Sequence, residues 1–292
     1  MTWNYCSPLR YPGGKSCLYP FFSRLFVEND LVGVDYVEPY AGGAGLALNL
    51  LFNNLVSNIF INDYDSSIYA FWHILLERGD DFCKWIDTVN VDVPTWHYYK
   101  EIQSQDTDDE MEKAKALFFL NRTNVSGVVK GGIIGGIQQT GKFKIDARFN
   151  KSDLIKRIQM TLRYKERIHL FNLDGIKFIS QIDSLQNNLF IYLDPPYYKK
   201  GADLYMNFYK DEDHNSLAEQ IKKLHNLWLV SYDKQDYIIG LYPDFRKISY
   251  RLSQGTSNRI GDEILIFPHT LKYNRSITIL KNPMPIGNQD NK

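Results

Sequence analysis

Residues 34 to 45 read VDYVEPYAGGAG, and LALNLLFNNL follows them from 46 to 55. A short apolar run closes on a carboxylate, Glu38, and the chain then turns through Gly42, Gly43 and Gly45 into an apolar stretch of helical length. Glycines in such a turn let the backbone bend sharply and approach a ligand with no Cβ in the way. The unit is a strand, a turn and a helix. It lacks the GxGxxG spacing of dinucleotide sites, which weighs against a dehydrogenase. An ordinary strand-to-helix turn would use the same glycines.

The pattern recurs outward in both directions. Runs with strand character stand at 58 to 63 (NIFIND), 167 to 172 (RIHLFN), 189 to 194 (LFIYLD), 227 to 233 (LWLVSYD) and 263 to 268 (EILIFP). Helical spacing is read after Gly45, from Ser67 to Arg78, Glu112 to Leu120, Ser152 to Arg167 and Asn215 to His225. Strands alternating with helices predict an α/β fold on a mostly parallel sheet. Between about residue 70 and residue 165 the alternation stops. An acidic patch (Glu101 to Glu112), a helix and the glycine-rich run GVVKGGIIGGIQQTGKFKIDARFN fill that stretch. Insertions looped out of a rigid core commonly carry recognition.

The 292 residues are 44% hydrophobic, enough for a large core, so a disordered chain is excluded. Lys plus Arg and Asp plus Glu are equal at 34 each, so any surface for a polyanion must be local. One local excess exists: Lys142 to Arg167 holds nine basic residues against three acidic ones, which suits phosphates or a plain solvated face. Cys6, Cys17 and Cys83 have no metal-ligand spacing and read as free thiols in a reducing, cytoplasmic setting. No run of signal or membrane-spanning length is expected, and no metal.

Two further features carry chemistry. Asp63 ends a strand about 20 residues beyond the glycine turn, where α/β nucleotide sites place an acid for ribose hydroxyls; NDYDSS could equally be a helix N-cap. The strand LFIYL runs into Asp194, Pro195, Pro196 and Tyr197. Two prolines stop the strand and remove two backbone donors, leaving acceptors beside a carboxylate and an aromatic ring. That set suits an amino group on a planar base, with acceptors for its N–H protons and a ring to stack on. An exocyclic adenine amine is a poor nucleophile because its lone pair is delocalised. Acceptors at Asp194 and Pro195 would favour a pyramidal nitrogen and stabilise the charge that develops on it.

SPLRYPGGK (7 to 15), VEPYAGGAG (37 to 45), INDYD (61 to 65), FFLNRTNVSG (118 to 127), NLDG (172 to 175), DPPYY (194 to 198) and LVSYD (229 to 233) stand in an order that resembles the Dam-type, or D12 class, DNA adenine-N6 methyltransferases. The resemblance covers nearly the whole chain. It implies a Rossmann-like methyltransferase sheet flanked by helices, formed by 1 to 70 and 165 to 292, with a mainly helical and loop target-recognition insertion at 71 to 164. It implies S-adenosyl-L-methionine as cofactor, double-stranded DNA as partner, and transfer to a flipped-out adenine by a site-specific adenine methyltransferase. A restriction-modification setting with a cognate restriction endonuclease, and a monomer or weak dimer, accompany that expectation. By the same resemblance Asp194, Pro195, Pro196 and Tyr197 are catalytic. Tyr11, Lys15, Glu38, Pro39, Tyr40, Gly42, Gly43, Gly45, Asp63, Asp174 and Asp194 bind the cofactor.

The match departs from the family at two places. Gly175 follows Asp174 where a phenylalanine is frequent, and the segment after LNR has Thr123, Val125, Ser126, Val128 and Lys130 in place of the aromatic and arginine residues of GATC-reading members. The glycine-rich continuation looks more like the loop of restriction-modification enzymes. DNA contacts are expected from Arg122, Asn124, Ser126, Lys130, Gln138, Gln139, Lys142, Lys144, Arg148 and Lys151, with lysine suited to guanine acceptors and glutamine to adenine. Rival expectations are a methyltransferase of RNA adenine and a DNA-binding protein with a decayed catalytic site.

Overall fold

The computed structural model describes residues 6–10, 13–105, 107–185, 188–199, 209–253 and 260–287; Tyr11 lies outside them. Five strands, β1 (Val34–Glu38), β2 (Val56–Asn62), β3 (Ile168–Phe171), β4 (Leu189–Leu193) and β5 (Leu227–Asp233), run parallel in the order β3-β2-β1-β4-β5. Beyond β5 the sheet turns antiparallel through β7 (Ile260–Phe267), β6 (Arg246–Ser253) and β8 (Met284–Pro285). The result is an α/β sheet, as expected, made mixed by this antiparallel edge. Chain order reverses between β1 and β4, and in open α/β sheets that switch point opens a crevice beyond the carboxyl ends of the strands.

The strands read as continuous apolar runs because both faces are covered. On one face Tyr36, Phe190 and Tyr192 pack against α1 (Tyr19–Glu28) and α2 (Gly45–Phe52), with Phe22 edge-on to all three rings. On the other, Val37, Ile191 and Leu193 meet Phe178 of the helix Gly175–Leu185 and Leu217 of the helix Asp211–Ile221. Numbered in chain order, these last two are α7 and α8, and Asp236–Leu241 is α9.

Four helices lie between β2 and β3: α3 (Ser66–Thr88), α4 (Val93–Gln105), α5 (Glu110–Thr123) and α6 (Lys151–Leu162). Sequence spacing ends a helix at Arg78, and there α3 leaves helical geometry (φ −133°) before continuing to Thr88. Phe71 and Phe82 of α3 pack on Phe118 of α5, with ring centroids 5.7 and 5.4 Å apart. The inserted helices therefore share one continuous core with the first face of the sheet. Among the described residues no helix is long and apolar enough to cross a membrane, and no group of three or more His, Cys, Asp or Glu side chains could hold a metal ion. The three cysteines are free thiols.

Candidate active site

The acids nominated from sequence follow successive strands at one end of the sheet. Glu38 closes β1, Asp63 follows β2, Asp174 follows β3 and Asp194 follows β4. Asn62, which sequence reading passed over, braces three of these ends. Its amide donates to the carbonyls of Pro39 (2.9 Å) and Leu173 (3.0 Å) and accepts from the Leu173 N–H (2.8 Å).

In the glycine turn Gly42 takes φ +47° and Ala44, a residue with a Cβ, takes φ +46° at the start of α2. A Cβ on Gly45 would run into the Ser16 side chain, so that glycine is needed for close packing. Asp63 accepts the Gly42 N–H (2.8 Å) and the Asp65 N–H (3.0 Å). The cap of α3 is Asp65, which accepts from Ser67 and Ile68. Asp63 is thereby the acid that clamps the turn, and burial pushes its carboxyl up to about 7. Asp174 accepts from the N–H groups of Ile176 and Lys177 and so caps α7. The departure at Gly175 has a local cause: a Cβ there would stand 2.6 to 2.7 Å from the Tyr40 ring, which occupies the space. Tyr40 in turn shares a hydroxyl contact of 3.0 Å with Tyr209.

Asp194 sits in a polar cluster drawn from four places in the chain. Lys15, buried in the turn that precedes α1, donates to both carboxylate oxygens (2.8 and 2.9 Å), to the Tyr197 hydroxyl (2.8 Å) and to the Gly13 carbonyl (3.1 Å). Ser231 of β5 donates to Asp194 Oδ1 at 2.8 Å and meets the Tyr192 hydroxyl at 2.7 Å. Burial opposes the charge on Lys15, but Asp194 and Glu263 outweigh it and hold its ammonium well above the ordinary range. Burial raises Asp194, with Lys15 pulling the other way. Glu38, buried, is pushed up to about 8 by burial and by Asp194, and among the described residues its Oε2 has no hydrogen-bond partner. Tyr197 is buried as well, its hydroxyl donating to Glu263 at 2.5 Å. Pro195 and Pro196 hold the turn, and Asp233 pins its exit by accepting from Tyr198 N–H (2.9 Å).

The expected DNA-contacting residues divide. Lys130, Gln138, Lys142, Lys144 and Arg148 are exposed. Lys144 donates to the Gln139 carbonyl, and the Lys142 ammonium lies 5.7 Å over the Phe143 ring. Arg122 and Asn124 face inward instead. The Arg122 guanidinium binds the Pro8 carbonyl, and burial lowers its pKa to about 9. Asn124 accepts from Trp96 Nε1 (2.7 Å) and donates to the carbonyls of Val128 and Val129. Gln139 spends its amide on Ile134, Gly136 and Ile145, Ser126 takes φ +58° in the turn after α5, and Lys151 donates to the Asp87 carbonyl near the end of α3.

The family model for D12 class N6 adenine-specific DNA methyltransferases matches residues 11–253. The chain belongs to this family. It is similar to the type II methyltransferase M.CviBI of Paramecium bursaria Chlorella virus NC1A, 26% identical over 265 residues that cover 88% of this chain and 95% of that protein. Two solved structures from Listeria monocytogenes align more loosely. One, a candidate class I S-adenosylmethionine-dependent methyltransferase, is 11% identical with a TM-score of 0.35, over 87% of this chain and 60% of that one. The other, an uncharacterised protein of serotype 4b, is 8% identical with a TM-score of 0.34, over 84% and 66%. As a family member the protein methylates adenine N6 in DNA. Glu263, on β7, was missed by sequence reading. The signal was there: one carboxylate opening the otherwise apolar run EILIF.

Proposed function

We propose that this chain is a site-specific methyltransferase that takes its methyl group from S-adenosyl-L-methionine and acts on an adenine flipped out of duplex DNA. The observation that carries the reading is Asp194, a carboxylate on the DPPY turn at the sheet's switch point, with Glu38 and Asp63 beside it on neighbouring strand ends. The residues fit the cofactor. Glu38 offers an unpartnered buried oxygen for its ammonium group, and Asp63, with each oxygen taking one backbone N–H, keeps acceptor capacity for ribose hydroxyls. Asp174 supports the adenine end, and Tyr40, Pro39 and the turn at Gly42, Gly43 and Gly45 wall the crevice. When bound, the cofactor supplies a sulfonium methyl group.

The chain's own residues do the rest. Asp194 accepts an N–H of the target amine and stabilises the positive charge that grows on it, while the proline turn adds carbonyl acceptors and no competing donors. Flipping is required because the amine is paired and stacked inside a duplex. No covalent enzyme intermediate is needed: the amine lone pair would form the new N–C bond as the methyl's bond to sulfur breaks, a neutral thioether would leave, and the surplus N6 proton would pass to solvent. The glycine-rich insertion reads sequence through Lys130 and Gln138, and Lys142, Lys144 and Arg148 hold phosphates. The type II relative favours a restriction-modification setting. Expression in a methylation-free host, followed by single-molecule sequencing, tests the reading; genomic DNA without N6-methyladenine at a fixed motif refutes it.

A further inference from the structure

Glu263 is a carboxylate on β7, two strands away from Asp194, and it is 1% exposed. It lies opposite Tyr250 of β6 and Asp233 of β5 in the sheet register. Its oxygens accept from the hydroxyls of Tyr197 (2.5 Å) and Tyr250 (2.7 Å), and the Lys15 ammonium lies 3.7 Å away. Buried charges are retained where they are paired and hydrogen-bonded, and this one has two hydroxyl donors and a cation. Lys15 therefore serves two carboxylates at once.

The acceptor accounting on Asp194 is uneven. A carboxylate offers about four lone-pair sites. Oδ1 takes Lys15 and Ser231, whereas Oδ2 takes Lys15 alone among the described contacts. Oδ2 thus keeps a free acceptor lobe. One ammonium thus faces two carboxyl groups, Asp194 at 2.8 Å and Glu263 at 3.7 Å.

We propose that Glu263 is a positioning residue for methyl transfer: by sharing the Lys15 ammonium and holding the Tyr197 hydroxyl, it leaves Asp194 Oδ2, which takes Lys15 alone among the described contacts, with acceptor capacity for the target amine. The inference rests on the reading of Asp194 as that acceptor. A simple Lys15–Asp194 pair would spend the carboxylate on the lysine. The third member keeps it available as positive charge develops on the amine.

The groups that interact electrostatically with Asp194 come from several elements around it. They are Lys15 and Cys17 from the turn before α1, Tyr36 and Glu38 from β1, Tyr192 from β4, Ser231 and Tyr232 from β5, and Glu263 from β7. Glu263 pushes Asp194 up and Lys15 pulls it down. Methylation of a duplex with labelled cofactor is measured against pH for the wild type, Glu263→Gln and Lys15→Met, with calorimetry for cofactor affinity. In Glu263→Gln, kcat falls roughly tenfold to a hundredfold at neutral pH, cofactor affinity and KM for DNA hold, and the acid limb of kcat moves to lower pH. In Lys15→Met that limb moves to higher pH. A merely structural glutamate would reduce folded protein and leave the limb in place. Should Glu263→Gln fold poorly, Lys15→Met tests the same cluster from the other sign. Unmoved limbs in both variants, or an unchanged kcat in folded Glu263→Gln, overturn the proposal. A wild-type protein that binds the cofactor yet leaves duplex adenine unmethylated overturns the underlying reading, and the inference with it.

Discussion

The side-chain amide of Asn121 holds both backbone groups of Arg10, accepting its N–H at 2.7 Å and donating to its carbonyl at 2.6 Å. Arg122 binds the neighbouring Pro8 carbonyl, and Asn121 also reaches the Gly127 carbonyl at 3.0 Å. Gly127 takes φ +77°, and a Cβ there would stand 2.6 Å from the Arg10 carbonyl. The LNR segment is therefore a clasp on the backbone of Pro8 and Arg10, a few residues before Lys15 in sequence. Two motifs far apart in sequence belong to one physical unit.

Asn121→Ala removes three hydrogen bonds at a site only 3% exposed. Buried groups left without partners each cost about 1–3 kcal/mol. Urea unfolding of the variant should show a midpoint lowered accordingly, with the slope unchanged. An unaltered midpoint would mean that the clasp is ornamental.

Asp63 gives a pH signature. Its folded pKa, about 7, lies above the ordinary carboxylate value, so the folded state holds this proton more tightly than the unfolded chain does. Between about pH 4 and pH 7 the unfolded chain has lost the proton and the folded one keeps it, so stability falls as pH rises through that window. Asp63→Asn keeps an acceptor for Gly42 and removes the titration. Melting temperatures of the free protein should therefore decline less steeply over that window in the variant. Asp63→Ala should bind cofactor more weakly by roughly 1.5–3 kcal/mol, the worth of charge-assisted hydrogen bonds.

Glu38, at about 8, enters neutral at pH 7 with one oxygen unpartnered. A bound ammonium group stabilises the ionised form, so cofactor binding should release close to one proton. Calorimetry at pH 7 in buffers of different ionisation enthalpy reads this directly. Glu38→Gln should bind more weakly and release distinctly fewer protons than the wild type; an equal proton count in both proteins would remove Glu38 from the cofactor site.

The parallel strands were legible because burial on both faces writes them as unbroken apolar runs, as in LFIYL. β6, RKISYRLS, was not, since it alternates polar and apolar residues between two antiparallel neighbours. The strand-end acids Asp63 and Asp194 announced themselves by position. Glu263 did not, because its partners Lys15, Tyr197 and Tyr250 lie far from it in sequence or on the adjacent strand. Arg122 and Asn124 looked like DNA contacts from residue type, and only packing shows their polar atoms engaged with Pro8 and Trp96.

Tyr197 illustrates a second limit. From sequence its ring face is the asset, yet its hydroxyl bridges Lys15 and Glu263. Tyr197→Phe keeps the ring and leaves the Glu263 carboxylate short of a donor, at about 1–3 kcal/mol. Thermal unfolding should show the loss, and turnover should fall with it. Wild-type stability in this variant would show the bridge to be dispensable.

The insertion between β2 and β3 yields the last prediction, because exposure there separates two proposed roles that composition merges. Lys130 and Gln138 are exposed beside the turn that Asn124 and Gln139 stiffen, so their side chains are carried on a fixed frame and suit base edges. Arg148 is exposed within the basic stretch from Lys142 to Arg167, where a phosphate contact is expected of it. Lys151 is committed to the Asp87 carbonyl, so its loss acts on the end of α3 rather than on DNA. Lys130→Ala should relax or change the methylated motif, at about 1–3 kcal/mol of discrimination for a good bidentate contact. Arg148→Ala should weaken binding to every duplex alike and reduce the slope of log K against log salt by about one. Genome-wide mapping of N6-methyladenine reads the first variant and salt-titrated binding the second. If Lys130→Ala keeps the wild-type motif while Arg148→Ala alters it, the roles are reversed and the bases are read from the basic stretch.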